Sequence, residues 1–347
     1  MILPQSSFVS LLLMLLGLVC WGSWANTFKM GGKWRFEMYY FDFAFGMMLA
    51  GAVAAFTFGS LGFDGFLFMD DVMQTGKRNI GFACLAGITF NLGNMLLLGG
   101  ISIAGMAAAI PMGFGVAVFS AIGLGYYLQP SGNRVFLFGG CAVAVAAAVF
   151  FAMASRRHQA MLLEEKAKAG LLKTSKPTVS PKAVVVSLVG GLLVGISFPM
   201  LDFSRTYGPT MGSYAAVFMF ALGLFFSTVV FNLFFMNLPI QGSPVEVRDY
   251  FLKGSVKTHL LGFLGGVIWL LGLLAVTVAA GAEPENRAPA AALATIPHGS
   301  AVLAFLFGVL LWKEFENADF RAKNLLALGL LLFLAGLGLV AVGVVAA

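Results

Sequence analysis

Long apolar runs separated by short polar segments dominate the chain. A helix of about 20 apolar residues is long enough to cross the hydrocarbon core of a bilayer, and ten runs of that size can be marked. The runs cover residues 8–28, 39–61, 79–99, 103–128, 134–154, 183–203, 212–237, 258–280, 288–312 and 324–345. The pattern therefore predicts an all-α polytopic membrane protein with ten transmembrane helices.

The ten predicted spans divide into two halves of five. The longest polar stretch, 155–182, separates a half at 1–154 from a half at 183–347, and its later part is rich in Pro, Ser and Thr, as linkers are. Short strings recur in the same order in both halves: Gly87–Gly93 with Gly266–Gly272, Ala109–Gly113 with Thr295–Gly299, and Gly17–Trp24 with Gly191–Phe198. Because five is odd, the second half must enter the membrane from the opposite side. We therefore expect two inverted five-helix repeats with a solute site near the midplane.

Composition and charge agree with a membrane protein and set its orientation. Hydrophobic residues make up 60% of the 347 residues and charged residues only 10%, whereas soluble domains are about 25% charged. The net charge of +6 lies in short loops, so nucleic acid is not an expected partner. Of the 21 Lys and Arg residues, 16 fall in the loops that follow odd-numbered spans. The positive-inside rule puts those loops, 155–182 included, in the cytoplasm and both termini outside the plasma (inner) membrane.

Polar and aromatic side chains at membrane depth are the candidate solute-binding residues: Trp21, Trp24, Asn26, Asn91, Asn94, Trp269 and His298. A structural reading stays open for each. Trp24 could be an interface anchor, the Asn pair could join helices by hydrogen bonds, and Trp269 could fill the core. On the functional reading they converge on one central cavity, where aromatic faces stack a flat solute and amides donate and accept hydrogen bonds.

Two matched prolines and two titratable groups are candidates for gating and coupling. Pro111 in span 4 and Pro297 in span 9 each remove a backbone hydrogen bond, so they predict hinges at a cavity or simple packing kinks. His298 follows Pro297 at bilayer depth, where the neutral imidazole is favoured and can bind solute or carry a proton. Asp42, near the cytoplasmic end of span 2, is a second possible coupling residue. Asp202 and Arg205 are expected to form an ion pair at the outer end of span 6.

Sequence motifs of catalysis are missing from the chain. It contains no GxxxxGK[ST], no HExxH, no GxSxG with plausible triad partners and no His/Cys cluster with metal-ligand spacing. We therefore expect no enzyme, no metal and no cofactor, and uphill transport would depend on an ion gradient, with H+ as the expected ion. The expected partners are a small-molecule solute and membrane lipids, and the protein is a monomer or a homodimer.

Several strings resemble the ureide permease family of the drug/metabolite transporter superfamily. They are Trp24 with Tyr40–Phe43, Ala55–Gly62, Leu92–Asn94, Ala290–Pro297 and Gly308–Phe315. The resemblance covers nearly the whole chain and implies a secondary transporter of a small neutral polar solute. Its substrates would be oxo-substituted nitrogen heterocycles such as allantoin, uracil and xanthine, imported with protons.

Three other functions stay open at this point. Trp21–Ser23 and Gly266–Gly272 also resemble bacterial glucose/ribose uptake permeases, so a sugar uptake permease is the first alternative. A drug or metabolite exporter is a further alternative within the same fold. A membrane-embedded enzyme or assembly subunit belongs to a different class, and solute uptake by the purified protein in liposomes separates it from all three transporters.

The charge distribution generates a test of topology. A cysteine added at the C-terminus should be modified by an impermeant thiol reagent applied to intact cells, whereas Gly170→Cys should react only after the cells are permeabilised. The native cysteines (Cys20, Cys84, Cys141) lie inside apolar runs and supply the background control. The reverse labelling would contradict both the orientation and the direction of the repeats.

Overall fold

The computed structural model describes residues 1–61, 65, 67–170, 179–208 and 210–346. The chain is 81% helical, and no strand occurs among the described residues. Ten helices of this part are long and apolar enough to cross a membrane, which confirms the predicted number of spans. They are α1 (Ser7–Met30), α2 (Phe36–Phe56), α3 (Lys77–Ala104), α4 (Met106–Leu128), α5 (Arg134–Lys168), α6 (Lys182–Thr206), α7 (Ser213–Asn237), α8 (Val256–Ala280), α9 (Ala290–Leu311) and α10 (Phe320–Val345).

Helix α5 differs most from its predicted bounds. The span was expected to end at residue 154, with a polar linker over 155–182, but the helix continues without a break to Lys168. The residues from Met161 to Ala169 are strong helix formers (Ala, Leu, Glu, Lys), and the first glycine follows only at Gly170. The predicted span ended too early because it stopped where the residues become polar, although those residues still favour a helix. Residues 171–178, where the rest of the linker was placed, lie outside the described residues.

Helix α2 ends before the predicted limit, and α9 ends in an irregular turn. Helix α2 stops at Phe56 rather than at residue 61, because a turn follows from Thr57. The last turn of α9, Phe307–Leu311, is π-helical. Such wide turns are rare and occur often at functional sites.

All three internal prolines of the spanning helices lie in helices near the centre of the bundle. Pro111 lies inside α4 and Pro297 inside α9, as predicted. The sequence reading did not single out Pro199, which lies inside α6.

The helices pack in matched pairs. Helix α3 packs on α6 as α8 packs on α1, and α4 packs on α6 as α9 packs on α1. Likewise α3 packs on α7 as α8 packs on α2, and α4 on α5 as α9 on α10. The remaining large contacts, α5 with α10, α2 with α7 and α4 with α9, join each helix to its own counterpart. The same set of pairings results when each helix is replaced by its counterpart in the other half, α1 by α6, α2 by α7 and so on.

Two glycines that the sequence aligns make equivalent backbone contacts. A Cβ atom on Gly87 of α3 would lie 2.0 Å from the carbonyl oxygen of Phe220 in α7. A Cβ atom on Gly266 of α8 would lie 2.0 Å from the carbonyl oxygen of Phe43 in α2. Side chains larger than hydrogen are therefore excluded at both crossings, where small residues let two backbones approach closely.

Substitution at one of these crossings should separate the helices. We expect Gly266→Ala to destabilise the protein by about 1–3 kcal/mol, because a methyl group cannot share space with a helix backbone. The matched control is Gly139→Ala in α5, where an added Cβ meets nothing within 4 Å. Thermal unfolding followed by size-exclusion chromatography in detergent compares the two. Equal melting temperatures for both variants would contradict the tight α2–α8 crossing.

Candidate solute-binding site

A cavity of about 700 Å³ lies between the two halves. Helices α1, α4, α6, α8 and α9 line it, and it extends to the ends of these helices on the side where both termini lie. Its volume falls within the range of about 300–1,000 Å³ that is usual for small-molecule sites. The cavity can therefore hold one small solute.

Aromatic rings form one wall of the cavity. Trp21 of α1 and Phe198 of α6 both line it, with ring centroids 5.3 Å apart. Trp269 of α8 lies behind Trp21: the two rings stack at 5.5 Å, and the Trp21 Nε1–H donates to the Trp269 carbonyl oxygen at 3.1 Å. Trp269 in turn contacts Phe90 of α3, its predicted counterpart in the other half, at 4.1 Å. The stack fixes the orientation of Trp21, whose face suits a flat ring.

His298 of α9 brings hydrogen-bonding groups into the cavity. Its side chain lines the cavity beside Pro297 and is only 6% exposed. The ring makes an edge-on contact with Phe114 of α4, at 6.4 Å between centroids. Neither ring nitrogen forms a hydrogen bond within the described part of the chain. An imidazole in this state can donate one hydrogen bond to a solute and accept another.

Charged groups surround the mouth of the cavity. Arg205 of α6 forms the expected ion pair with Asp202, with Nη1 3.7 Å from Oδ1. Its Nη2 donates to the Ser213 hydroxyl at 3.2 Å. Arg287, between α8 and α9, donates to the Ala282 carbonyl oxygen at 3.1 and 3.2 Å. The sequence reading treated the Asp202–Arg205 pair as isolated and did not consider Arg287, because nothing in either segment shows that the two segments meet.

Asn91 and Asn94 lie outside this cavity, contrary to the expected convergence. The Asn91 Nδ2 donates to the Ser227 hydroxyl at 2.7 Å and to a backbone carbonyl of α7 at 3.1 Å. The Asn94 Nδ2 donates to the Tyr40 hydroxyl at 3.2 Å. Both amides therefore join α3 to neighbouring helices, which is the structural alternative for polar groups in membrane helices.

Asn26 belongs to a polar cluster at the opposite end of the bundle. Its Oδ1 accepts a hydrogen bond from the Trp312 Nε1 at 2.7 Å. Two residues beyond the last turn of α9, Lys313 has a positive φ of 51°, and Glu314 then reaches the Lys29 Nζ at 2.7 Å. The Glu314 carboxylate also accepts the first two backbone amides of α4, at 3.0 and 2.8 Å. This cluster joins α1, α4 and α9 and closes the end that faces away from the cavity mouth.

Trp24 and Asp42 also lie away from the cavity lining. Trp24 is buried against Phe43 of α2, at 5.3 Å between centroids, and is not an exposed interface anchor. The Asp42 carboxylate accepts from the Tyr250 hydroxyl at 2.5 Å and contacts the His259 Nδ1 at 2.9 Å. Burial and the neighbouring carboxylate raise the pKa of Tyr250 above its ordinary range, so it stays a hydrogen-bond donor. The triad attaches the short helix before α8 to α2.

Of the predicted site residues, Trp21, Pro297 and His298 line the cavity, and Trp269 supports it from behind. Pro111 is buried within α4 outside the lining. Among the described residues, no group of three or more His, Cys, Asp or Glu side chains could hold a metal ion.

A multi-pass helical bundle with a solute-sized cavity between its halves is typical of a membrane transporter. Comparisons with known proteins identify its relatives: residues 39–187 match the family model Ureide permease. Ureide permease 1 of Arabidopsis thaliana is 24% identical over 92% of this chain and 93% of its own length. Ureide permease 3 of the same plant is 25% identical over 79% of this chain and 88% of its own. The chain is therefore similar to ureide permeases, and it is a multi-pass membrane transporter of a small solute rather than an enzyme.

The fold also matches an experimental structure. One solved crystal structure aligns with a TM-score of 0.52 at 12% sequence identity and covers 95% of each chain. At this identity the match shows a shared fold and no more.

The cavity-lining aromatic residues and the interhelical asparagines should respond differently to truncation. We expect Trp21→Ala to weaken solute binding about tenfold or more, because it removes the aromatic wall. Asn94→Ala should instead lower the stability by about 1–2 kcal/mol and leave solute affinity unchanged, because it removes only an interhelical hydrogen bond. Thermal unfolding with and without each member of a panel of ureides, nucleobases and sugars measures both effects. A lost solute response in Asn94→Ala would contradict this division.

Proposed function

We propose that the protein is a secondary active transporter that imports a ureide- or nucleobase-type oxo-heterocycle by alternating access, driven by a proton gradient. The observation that carries the proposal is the cavity, which Trp21 and Phe198 line with aromatic rings and His298 lines with an imidazole in contact with the Phe114 ring. A planar heterocycle would stack on Trp21 and exchange hydrogen bonds with His298. The printed names of the relatives, ureide permeases, support this solute class.

Alternating access would follow from an inverted repeat. The matched helix pairings and the equivalent contacts of Gly87 and Gly266 support two repeats that differ in conformation but not in architecture. One end of the bundle holds the open cavity, and the other end is closed by the Lys29–Glu314 and Asn26–Trp312 contacts. If the two repeats exchanged conformations, the cavity would close at its present mouth and open at the other end.

The orientation of the chain sets the side of the membrane on which the described cavity opens. With 16 of 21 Lys and Arg residues in the cytoplasmic loops, both termini and the cavity mouth face outward from the plasma membrane. The described conformation would then be outward-open and ready to receive solute from outside. This orientation supports import.

Proton coupling is assigned to His298 rather than to Asp42. An imidazole changes its charge near neutral pH, and this one lines the cavity that alternating access would expose to each side in turn. The charged groups of the same lining are Asp202, Arg205, Arg287 and the Met1 amine, and at its edge the Asp71 carboxylate accepts from the Gly212 amide. Asp42 lies at the closed end within its own hydrogen-bonded triad, without access to the cavity in this conformation.

Uptake into liposomes tests the proposal. With an inward-directed pH difference of one unit, one-to-one coupling should let the parent accumulate uracil or allantoin up to about tenfold. His298→Gln keeps hydrogen-bonding capacity but cannot titrate, so it should exchange solute without accumulating it. The matched control is His158→Gln in α5, whose ring lies against Phe315 outside the cavity lining.

The outcomes separate the parts of the proposal. Full accumulation by His298→Gln would remove His298 as the coupling residue and leave transport standing. Uptake of glucose or ribose in place of the heterocycles would replace the solute class with the sugar alternative. No uptake of any compound by correctly inserted protein would contradict the transporter proposal itself.

A further inference from the structure

We propose that Arg205 forms an anion-recognition subsite at the mouth of the cavity. The solutes that fit best would then be oxo-heterocycles that carry a carboxylate, in preference to their neutral counterparts. This inference rests on the proposed function, because it places the same ring in the same cavity. It replaces the expectation of a neutral solute.

Arg205 has more hydrogen-bond donors than partners. Its side chain is only 10% exposed, yet the buried Nε has no hydrogen-bond partner in the described part of the chain. The Ser213 hydroxyl accepts one hydrogen bond from Nη2 at 3.2 Å, and the other close group is Asp202 at 3.7 Å from Nη1, which is too long for a hydrogen bond. A guanidinium has five N–H donors, so most of its capacity remains unused.

Asp202 does not neutralise Arg205 effectively. Its side chain is 59% exposed, and exposed ion pairs of this length contribute little. Arg287 lines the same cavity and donates only to a backbone carbonyl. The described lining therefore carries two arginines and one aspartate, and this excess of positive charge favours an anion within a protein-enclosed cavity.

The spacing along α6 suits a ring and a carboxylate on one solute. Arg205 follows Phe198 by seven residues, which places both on one face of the helix and about 10 Å apart along its axis. The Arg205 guanidinium lies beside Ser213 at the start of α7, and both residues line the mouth of the same cavity as the aromatic wall. A ring stacked on Trp21 could then direct a carboxylate at Arg205, whose planar fork matches carboxylate geometry.

A pair of solutes that differ only in charge tests the inference. Uracil is neutral, whereas orotate is the same ring with a carboxylate and is an anion at neutral pH. Isothermal titration of the purified full-length protein, at one fixed ionic strength, measures both affinities. We expect orotate to bind at least about tenfold more tightly than uracil, as one charge-assisted hydrogen-bonded contact would give.

Three variants assign the preference to Arg205. Arg205→Gln removes the charge and should bring the two affinities to within about twofold, while uracil affinity changes little. Arg205→Lys keeps the charge without the fork and should retain part of the preference. Arg134→Gln removes an exposed arginine at the start of α5, on the same side of the bundle but outside the cavity lining, and should retain all of it.

Each result decides one question. Equal binding of uracil and orotate by the parent would overturn the inference and leave the proposed function intact. An unchanged preference for orotate in Arg205→Gln would also overturn the inference, whatever Arg205→Lys shows. If Arg205→Gln does not yield folded protein, the parent comparison and Arg205→Lys still decide. If neither solute binds the parent but allantoin does, the inference fails and the proposed function stands; if none of the three binds, both fail.

Discussion

The close approach of helix backbones at glycine crossings is the constraint on which the rest of this structure depends. Inside a bilayer the chain must satisfy its backbone hydrogen bonds within each helix, and lipid gives no hydrophobic force to bring helices together. Association then relies on tight packing, and at Gly87 and Gly266 the packing leaves no room for a methyl group. The two crossings fix α3 on α7 and α8 on α2. Helices α1, α4, α6 and α9, with one face of α8, surround the cavity.

The polar side chains of the membrane region named above fall into two groups, according to whether they form hydrogen bonds with neighbouring helices. Asn91 and Asn94 have partners on neighbouring helices, so their amides serve the architecture. The Arg205 Nε lacks a partner among the described residues, and the His298 ring contacts Phe114, while both side chains line the cavity or its mouth. An unpaired polar group is costly in a low-dielectric interior, so such groups persist where solvent or a solute can satisfy them. Hydrogen-bond partners, rather than depth in the membrane, therefore separate Asn91 and Asn94 from the cavity-lining His298.

Much of the fold could be predicted from the sequence, but less of the site. The lengths and spacing of the apolar runs were sufficient to count ten spans, and the aligned glycines Gly87 and Gly266 make equivalent contacts. The continuous extension of α5 to Lys168 was missed because hydropathy falls after residue 154, which ended the predicted span and left at most a short separate helix in the linker. Asn91 was assigned to the cavity because its depth is readable from the sequence, whereas its partner Ser227 is far away in the chain.

The two ends of the bundle differ in how a basic residue is neutralised. Lys29 stands in the last turn of α1, and Arg205 stands in the last turn of α6, the corresponding helix of the other half. Glu314 contacts Lys29 at 2.7 Å while holding the start of α4, and that end is closed. At the open end Asp202 is exposed and only loosely paired with Arg205. On the proposed binding mode, a solute carboxylate would supply at Arg205 the negative charge that Glu314 supplies at Lys29. Closure of the mouth would then depend on occupancy, which is the coupling that an importer requires.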